Sequence, residues 1–106
     1  MHSDLLAQRE SEVQASVIRF YEAFGCRVAR FSEGRRSRIT RGWPDLYVFL
    51  PSKRITWAHE TKAHGGKQSA DQGTIQTWFE ECAVAYVIGG VQAAHDYLAS
   101  LGLVEL

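Results

Sequence analysis

Two prolines, two cysteines, zero net charge and no long apolar run in 106 residues exclude several kinds of protein at once. A bilayer-crossing helix needs roughly 20 consecutive apolar residues, and no such stretch occurs. Met1–Glu10 is polar and mixed in charge, without the apolar segment of a secretory signal, so a cytoplasmic protein is expected. Cys26 and Cys82 are too few for a disulfide scaffold, and both are expected to be buried free thiols. The histidines, at positions 2, 59, 64 and 95, show no ligand spacing with them, which argues against a zinc site. No repeat or low-complexity segment is visible. The length suits one domain, 1–106, with a single core.

The neutral total conceals an uneven distribution. Arg27, Arg30, Arg35, Arg36, Arg38 and Arg41 are half of the 12 basic residues, and only Glu33 opposes them in that stretch. One side of the molecule should therefore be basic.

Leu6, Val13, Val17, Phe20 and Phe24 recur at helical steps, which predicts a helix over 4–24 stopped by Gly25. Cys26–Phe31 alternates apolar and basic residues like a half-buried strand, and Ser32–Gly42 reads as a loop. Strands are expected at Asp45–Leu50 and Ile55–Lys62, joined by a four-residue hairpin loop, Pro51–Arg54. A helix capped by Ser69 should run to Cys82 and bury Ile75, Trp78, Phe79 and Cys82. Ala83–Ile88 reads as a strand buried on both faces, and a last helix spans about Val91–Leu101. The order αβββαβα predicts an α/β fold, a mixed sheet flanked by helices.

The hairpin carries the chemistry. If Leu50 pairs with Ile55, Asp45 falls directly opposite Glu60, with Cβ atoms about 4.5–5.5 Å apart on one face. Two carboxylates so placed repel each other, and folding alone would not favour them. A divalent cation reverses that balance, since Mg²⁺ takes one or two carboxylates together with water and phosphate oxygens. Lys62 projects to the same face as Glu60. Two acids and a lysine supply what phosphodiester cleavage needs: a metal site, and a cation to meet developing charge. A second role open to Lys62 is to position or deprotonate the attacking water. His59 alternates to the opposite face and reads as a packed or surface histidine.

These residues resemble the PD-(D/E)xK nuclease superfamily, and more specifically the virus-type replication-repair nuclease (VRR-NUC) family. Gly42-Trp-Pro-Asp45 is similar to that family's G-x-P-D motif, Glu60-Thr-Lys62 to its E-x-K, and Ser69-Ala-Asp-Gln72 to its S-x-x-Q. The resemblance covers roughly Glu10 to Leu101 and implies a restriction-endonuclease-like αβββαβ core. It further implies Mg²⁺ or Mn²⁺ held by Asp45, Glu60 and the backbone carbonyl of Thr61. A helix-borne Glu would approach the metal directly or through water. Glu10 is favoured because it shares a face with Val13 and Val17, and Glu12 is the alternative. Gln72 would hydrogen-bond a phosphate or the nucleophilic water; Gln76, one turn on along the same face, reads either as a second such donor or as a plain helix residue.

Arg30, Arg35, Arg36, Arg38 and Arg41 lead into Asp45 and would contact phosphates without reading sequence. Lys67 either does the same or decorates its loop. Relatives of this length resemble bacterial enzymes, or phage enzymes in a bacterial host, that cut branched DNA as homodimers, Holliday-junction resolvases among them. Exposed apolar residues near Trp57, near Tyr86 or in the C-terminal Leu101–Leu106 are the candidates for a dimer interface, and the sequence does not choose among them. Two other readings are a sequence-specific restriction-type endonuclease and a non-catalytic DNA-binding module on a nuclease fold. The first lacks a recognition insertion, and the second has no need of opposed acids.

Overall fold

The computed structural model describes residues 2–31 and 41–105, with side chains from Arg9 onward. The elements follow the expected order: α1 (His2–Ala23), β1 (Arg27–Arg30), β2 (Leu46–Leu50), β3 (Ile55–Thr61), α2 (Ala70–Glu81), β4 (Tyr86–Gly89) and α3 (Val91–Ser100). Gly25 ends α1 at φ +85°, and the Cys26 N–H returns to the Tyr21 carbonyl at 3.1 Å. Only glycine enters that left-handed turn without strain.

The strands form one mixed sheet in the order β1-β2-β3-β4. The first three are antiparallel neighbours, and β4 runs parallel to β3 after the α2 crossover. The hairpin keeps the expected register, from Leu50 opposite Ile55 to Leu46 opposite His59. Its loop is a 3-10 turn, Pro51–Lys53, closed by Arg54 in the left-handed region at φ 56°.

Alternation along the strands divides the sheet into two faces. Leu46, Val48, Leu50, Trp57 and Val87 pack with Val17, Tyr21, Ala94 and Leu98 in the main core, under α1 and α3. Inside it runs a chain of polar groups. The Trp57 Nε1–H donates to the Tyr21 hydroxyl at 3.2 Å, that hydroxyl meets His59 Nδ1 at 2.7 Å, and His59 Nε2 meets the Gly89 carbonyl at 2.9 Å. One proton arrangement satisfies every member: Tyr21 donates to Nδ1, and a neutral imidazole donates from Nε2. Burial accordingly holds the His59 pKa below its ordinary value, against the pull of the Gly89 carbonyl and Asp45. His59 is thus the packed histidine its alternation predicts.

Several expectations are corrected. Trp78 is 52% exposed and Cys82 is exposed, because α2 turns Ile75 and Phe79 inward and ends at Cys82 as its C-cap. Phe24 is exposed past the end of α1. The last strand is Tyr86–Gly89, not Ala83–Ile88, since Ala83 (φ 60°) still belongs to the turn after α2. It lies at the sheet's edge, and only Val87 is buried. Trp57 itself is fully buried against Tyr21 and Tyr97. Residues 32–40 of the expected loop lie outside the described residues. No helix among the described residues is long and apolar enough to cross a membrane.

Tyr21→Phe would orphan two buried partners, Trp57 Nε1 and His59 Nδ1. A loss of about 1–3 kcal/mol is expected in urea unfolding, and an unchanged midpoint would show that the chain contributes nothing. The sign of the pH effect follows from His59. A folded imidazole that resists protonation loses stability as pH falls below the unfolded value of about 6.5. The unfolding midpoint should therefore drop from that pH downward, and less steeply in His59→Gln.

Candidate active site

The other face of the sheet carries the acids. The Phe31 N–H donates to the Asp45 carbonyl at 3.1 Å, which extends the β1–β2 register by one pair. Extending the β2–β3 register in the same way sets Asp45 beside Glu60, and Glu60 pairs with Ile88. Phe31, Asp45, Glu60 and Ile88 thus form one cross-strand row. The regular β2–β3 pairing stops at Leu46, one residue later than expected. The reason is chemical: Asp45 Oδ2 accepts from both the Thr61 N–H (2.8 Å) and the Thr61 hydroxyl (2.7 Å). With Oδ2 so committed, Oδ1 is the oxygen Asp45 can offer elsewhere.

Glu60 is 0% exposed. The Tyr86 hydroxyl donates to Oε1 at 2.6 Å. Oε2 has no hydrogen-bond partner among the described residues and faces Lys62 Nζ at 3.9 Å. Burial pushes the Glu60 carboxyl above the usual range, against the counter-pull of the Tyr86 hydroxyl and Lys62. Gln68 also favours the charged form, though its Nε2 donates to Gln76 Oε1 at 2.9 Å. The same arrangement drives the Tyr86 hydroxyl far up, first by burial and then through its bond to the Glu60 carboxylate. Lys62 lies just past the end of β3, held by its N–H to the Gly89 carbonyl at 3.3 Å, and its side chain is 16% exposed.

The motif at residues 42–45 and the start of α2 are packed on each other. Gly42 sits at φ +85°, and a Cβ there would lie 2.3 Å from the Asp71 carbonyl carbon and 2.6 Å from the Gln72 nitrogen. Ser69 and Gln72 form a reciprocal capping box: Gln72 N–H to Ser69 Oγ (3.2 Å), and Ser69 N–H to Gln72 Oε1 (2.8 Å). Gln72 therefore has a structural duty beyond the expected contact, and its Nε2 is the group that can still donate outward.

An orphaned buried carboxylate oxygen, a neighbouring aspartate and a lysine are hard oxygen donors with an assisting cation. That set fits a divalent ion such as Mg²⁺ or Mn²⁺ that fills its remaining positions with water and phosphate oxygens. The structure brings Asp45, Glu60, Thr61 and Lys62 together. It does not bring Glu10 or Glu12 into the set: both are exposed, and no group of three His, Cys, Asp or Glu gathers among the described residues. Arg41 and Lys67 are exposed; Arg30 is exposed too, but it pairs with Leu46 and so alternates to the face away from the acids, against expectation. Arg35, Arg36 and Arg38 lie outside the described residues. Sequence reasoning missed the Tyr86 hydroxyl, the Thr61 side chain and Gln68. A phenol inside the apolar run at 83–88 was the available clue, because a buried tyrosine hydroxyl needs a partner.

No family model and no curated protein matches the chain. A solved structure described as a VRR_NUC domain does match, with a TM-score of 0.67 and 28% identity, over 87% of this chain and 95% of that one.

Two substitutions test the site. Gly42→Ala should cost more than about 1 kcal/mol, through positive φ and the clash with α2. Glu60→Gln should abolish any metal-dependent activity yet raise the unfolding temperature of the metal-free protein. For a gain of about 1 kcal/mol the rise is roughly 4–8 °C. A lower temperature would mean that the buried carboxylate stabilises the fold.

Proposed function

The chain belongs to the VRR-NUC family, and from that membership and the site geometry we propose that it is a divalent-metal-dependent endonuclease acting on branched DNA. The observation that carries the reading is Glu60: a fully buried carboxylate with one oxygen unpartnered, aligned with Asp45 and approached by Lys62. A binding surface would gain nothing from that arrangement.

Asp45, Glu60 and the Thr61 carbonyl would hold the ion, Mg²⁺ or Mn²⁺. When bound, it polarises the scissile phosphate and lowers the pKa of a coordinated water. The protein's own groups do the rest. Thr61 and Tyr86 each fix one oxygen of Asp45 and Glu60, so the carboxylates are oriented before substrate arrives. The Lys62 ammonium would meet negative charge as it develops on the phosphate oxygens. Gln72 Nε2 would donate to a phosphate oxygen or to the attacking water. Arg41 and Lys67 would bind flanking phosphates without reading bases. A two-fold dimer would present two such sites to two strands, as Holliday-junction resolution requires.

Junction, flap, single-stranded and linear duplex DNA, compared in Mg²⁺ and in Mn²⁺ at one salt concentration, provide the test. Cleavage should favour branched DNA and disappear with EDTA. Asp45→Asn and Lys62→Ala should each lower the rate by roughly 100-fold or more. Wild-type rates in both variants would remove the assigned site. Arg41→Ala and Lys67→Ala should weaken binding evenly across sequences, each reducing the salt slope by about 1. An unchanged slope would remove these residues from the DNA contact.

A further inference from the structure

Five aromatic rings cluster on the acid-bearing face, and a sixth, Phe49 (42% exposed), stands apart from them four residues along β2 from Asp45. Trp43, Tyr47, Phe79 and Tyr86 are half-buried and contact one another at centroid distances of 5.5–5.9 Å, which accounts for them as the packing under α2. Phe31 is different. It is 41% exposed, at the rim of the cluster, with Tyr47 (5.4 Å, 74°) and Trp43 (6.3 Å, 86°) set edge-to-face against it. Two near-perpendicular neighbours fix the ring's orientation, yet much of its surface stays open to solvent.

Its position is set by the sheet. Phe31 shares the cross-strand row of Asp45 and Glu60, and its N–H bonds the Asp45 carbonyl. Neighbouring strands are roughly 5 Å apart, so the ring stands about one strand from the first carboxylate and two from the second. One exposed arginine, Arg41, lies two residues before Trp43, whose ring packs against Phe31. A fixed ring with a cation nearby in the chain is a combination that holds a nucleic-acid strand whose bases are unpaired, with stacking for the base and the cation for a phosphate. A fully paired duplex keeps its bases stacked on each other and offers no free face.

We propose that Phe31 is a stacking platform for an unpaired base next to the phosphate held by Asp45 and Glu60. This rests on the endonuclease reading for the position of the phosphate, and it deepens that reading. Branched DNA is preferred because a branch point supplies the unstacked base, which docks on Phe31 and sets the neighbouring phosphate against the carboxylates.

The test reads binding by fluorescence anisotropy in EDTA. It compares a duplex carrying a single-stranded extension with a fully paired duplex of equal length. A 2-aminopurine in the first unpaired position reports stacking. Phe31→Ala and Phe31→Leu should bind the extended DNA about tenfold more weakly, lose the 2-aminopurine change and bind the paired duplex as the native protein does. Phe31→Trp should retain both signals. Leucine preserves apolar packing without a π face, so it separates stacking from a fold defect. Equal binding of extended DNA by native, alanine and leucine forms would overturn the proposal, as would an equal loss on both DNAs. Cleavage by the native protein in Mg²⁺ is read separately. If it is absent while the binding pattern holds, the nuclease reading falls and the platform stands.

Discussion

A carboxylate buried in the middle of a sheet, with one oxygen satisfied and the other not, is the constraint around which this chain is arranged. An ionised group withdrawn from water is costly unless paired and hydrogen-bonded. Glu60 receives one short bond from Tyr86 and a distant lysine, and Oε2 is left without a hydrogen-bond partner among the described residues. The rest of the fold must carry that cost. It does so through the opposite face of the same strand, where Trp57 and His59 anchor β3 in the core.

The two faces are mechanically joined at Gly89. Its carbonyl accepts from buried His59 and from the Lys62 N–H, so one atom ends the core's polar chain and also holds the backbone of the site lysine. A second tie lies at Gly42, whose lack of a side chain lets the first turn of α2 approach the turn before Asp45. Motifs separated in sequence thereby become one unit: the turn orients the aspartate, the capped helix backs the turn, and β3 carries the glutamate and lysine. Each tie runs through a backbone atom of a glycine rather than between two long side chains, which suits a site that must hold its geometry before substrate arrives.

Much of this was legible in the sequence, and the parts that were not share a cause. Element order, hairpin register and the common face of Glu60 and Lys62 follow from alternation and a short loop, which are local rules. The errors at Trp78 and Cys82 arose from reading every apolar residue of α2 as inward, when a helix on one sheet face buries only a stripe. The bond from Tyr86 to Glu60 depends on which strand lies parallel beside β3, a long-range pairing that periodicity does not encode. Thr61 was foreseen as a backbone ligand, yet its N–H and hydroxyl prove to be what orients Asp45. A side chain near a strand end escapes the simple two-face rule. The helix acids Glu10 and Glu12 were separated by helical phase, but phase says nothing about how far along the helix the site lies.

The zero net charge deserves the same physical scrutiny, because it argues against a nucleic-acid enzyme only if the total is what a phosphate feels. At physiological ionic strength the screening length is about 8 Å, so charges farther away contribute little to the encounter. The acids at Glu22, Glu80, Glu81 and Glu105 offset the arginines in the sum. They do not offset Lys62, 3.9 Å from Glu60, unless they come within that distance. A neutral molecule has weak attraction for a phosphate backbone at long range, and its contact at short range depends on the few charges within that length. On the proposed reading, selectivity then depends on what the strand can place at close quarters against the row itself, a ring and two carboxylates set by strand pairing.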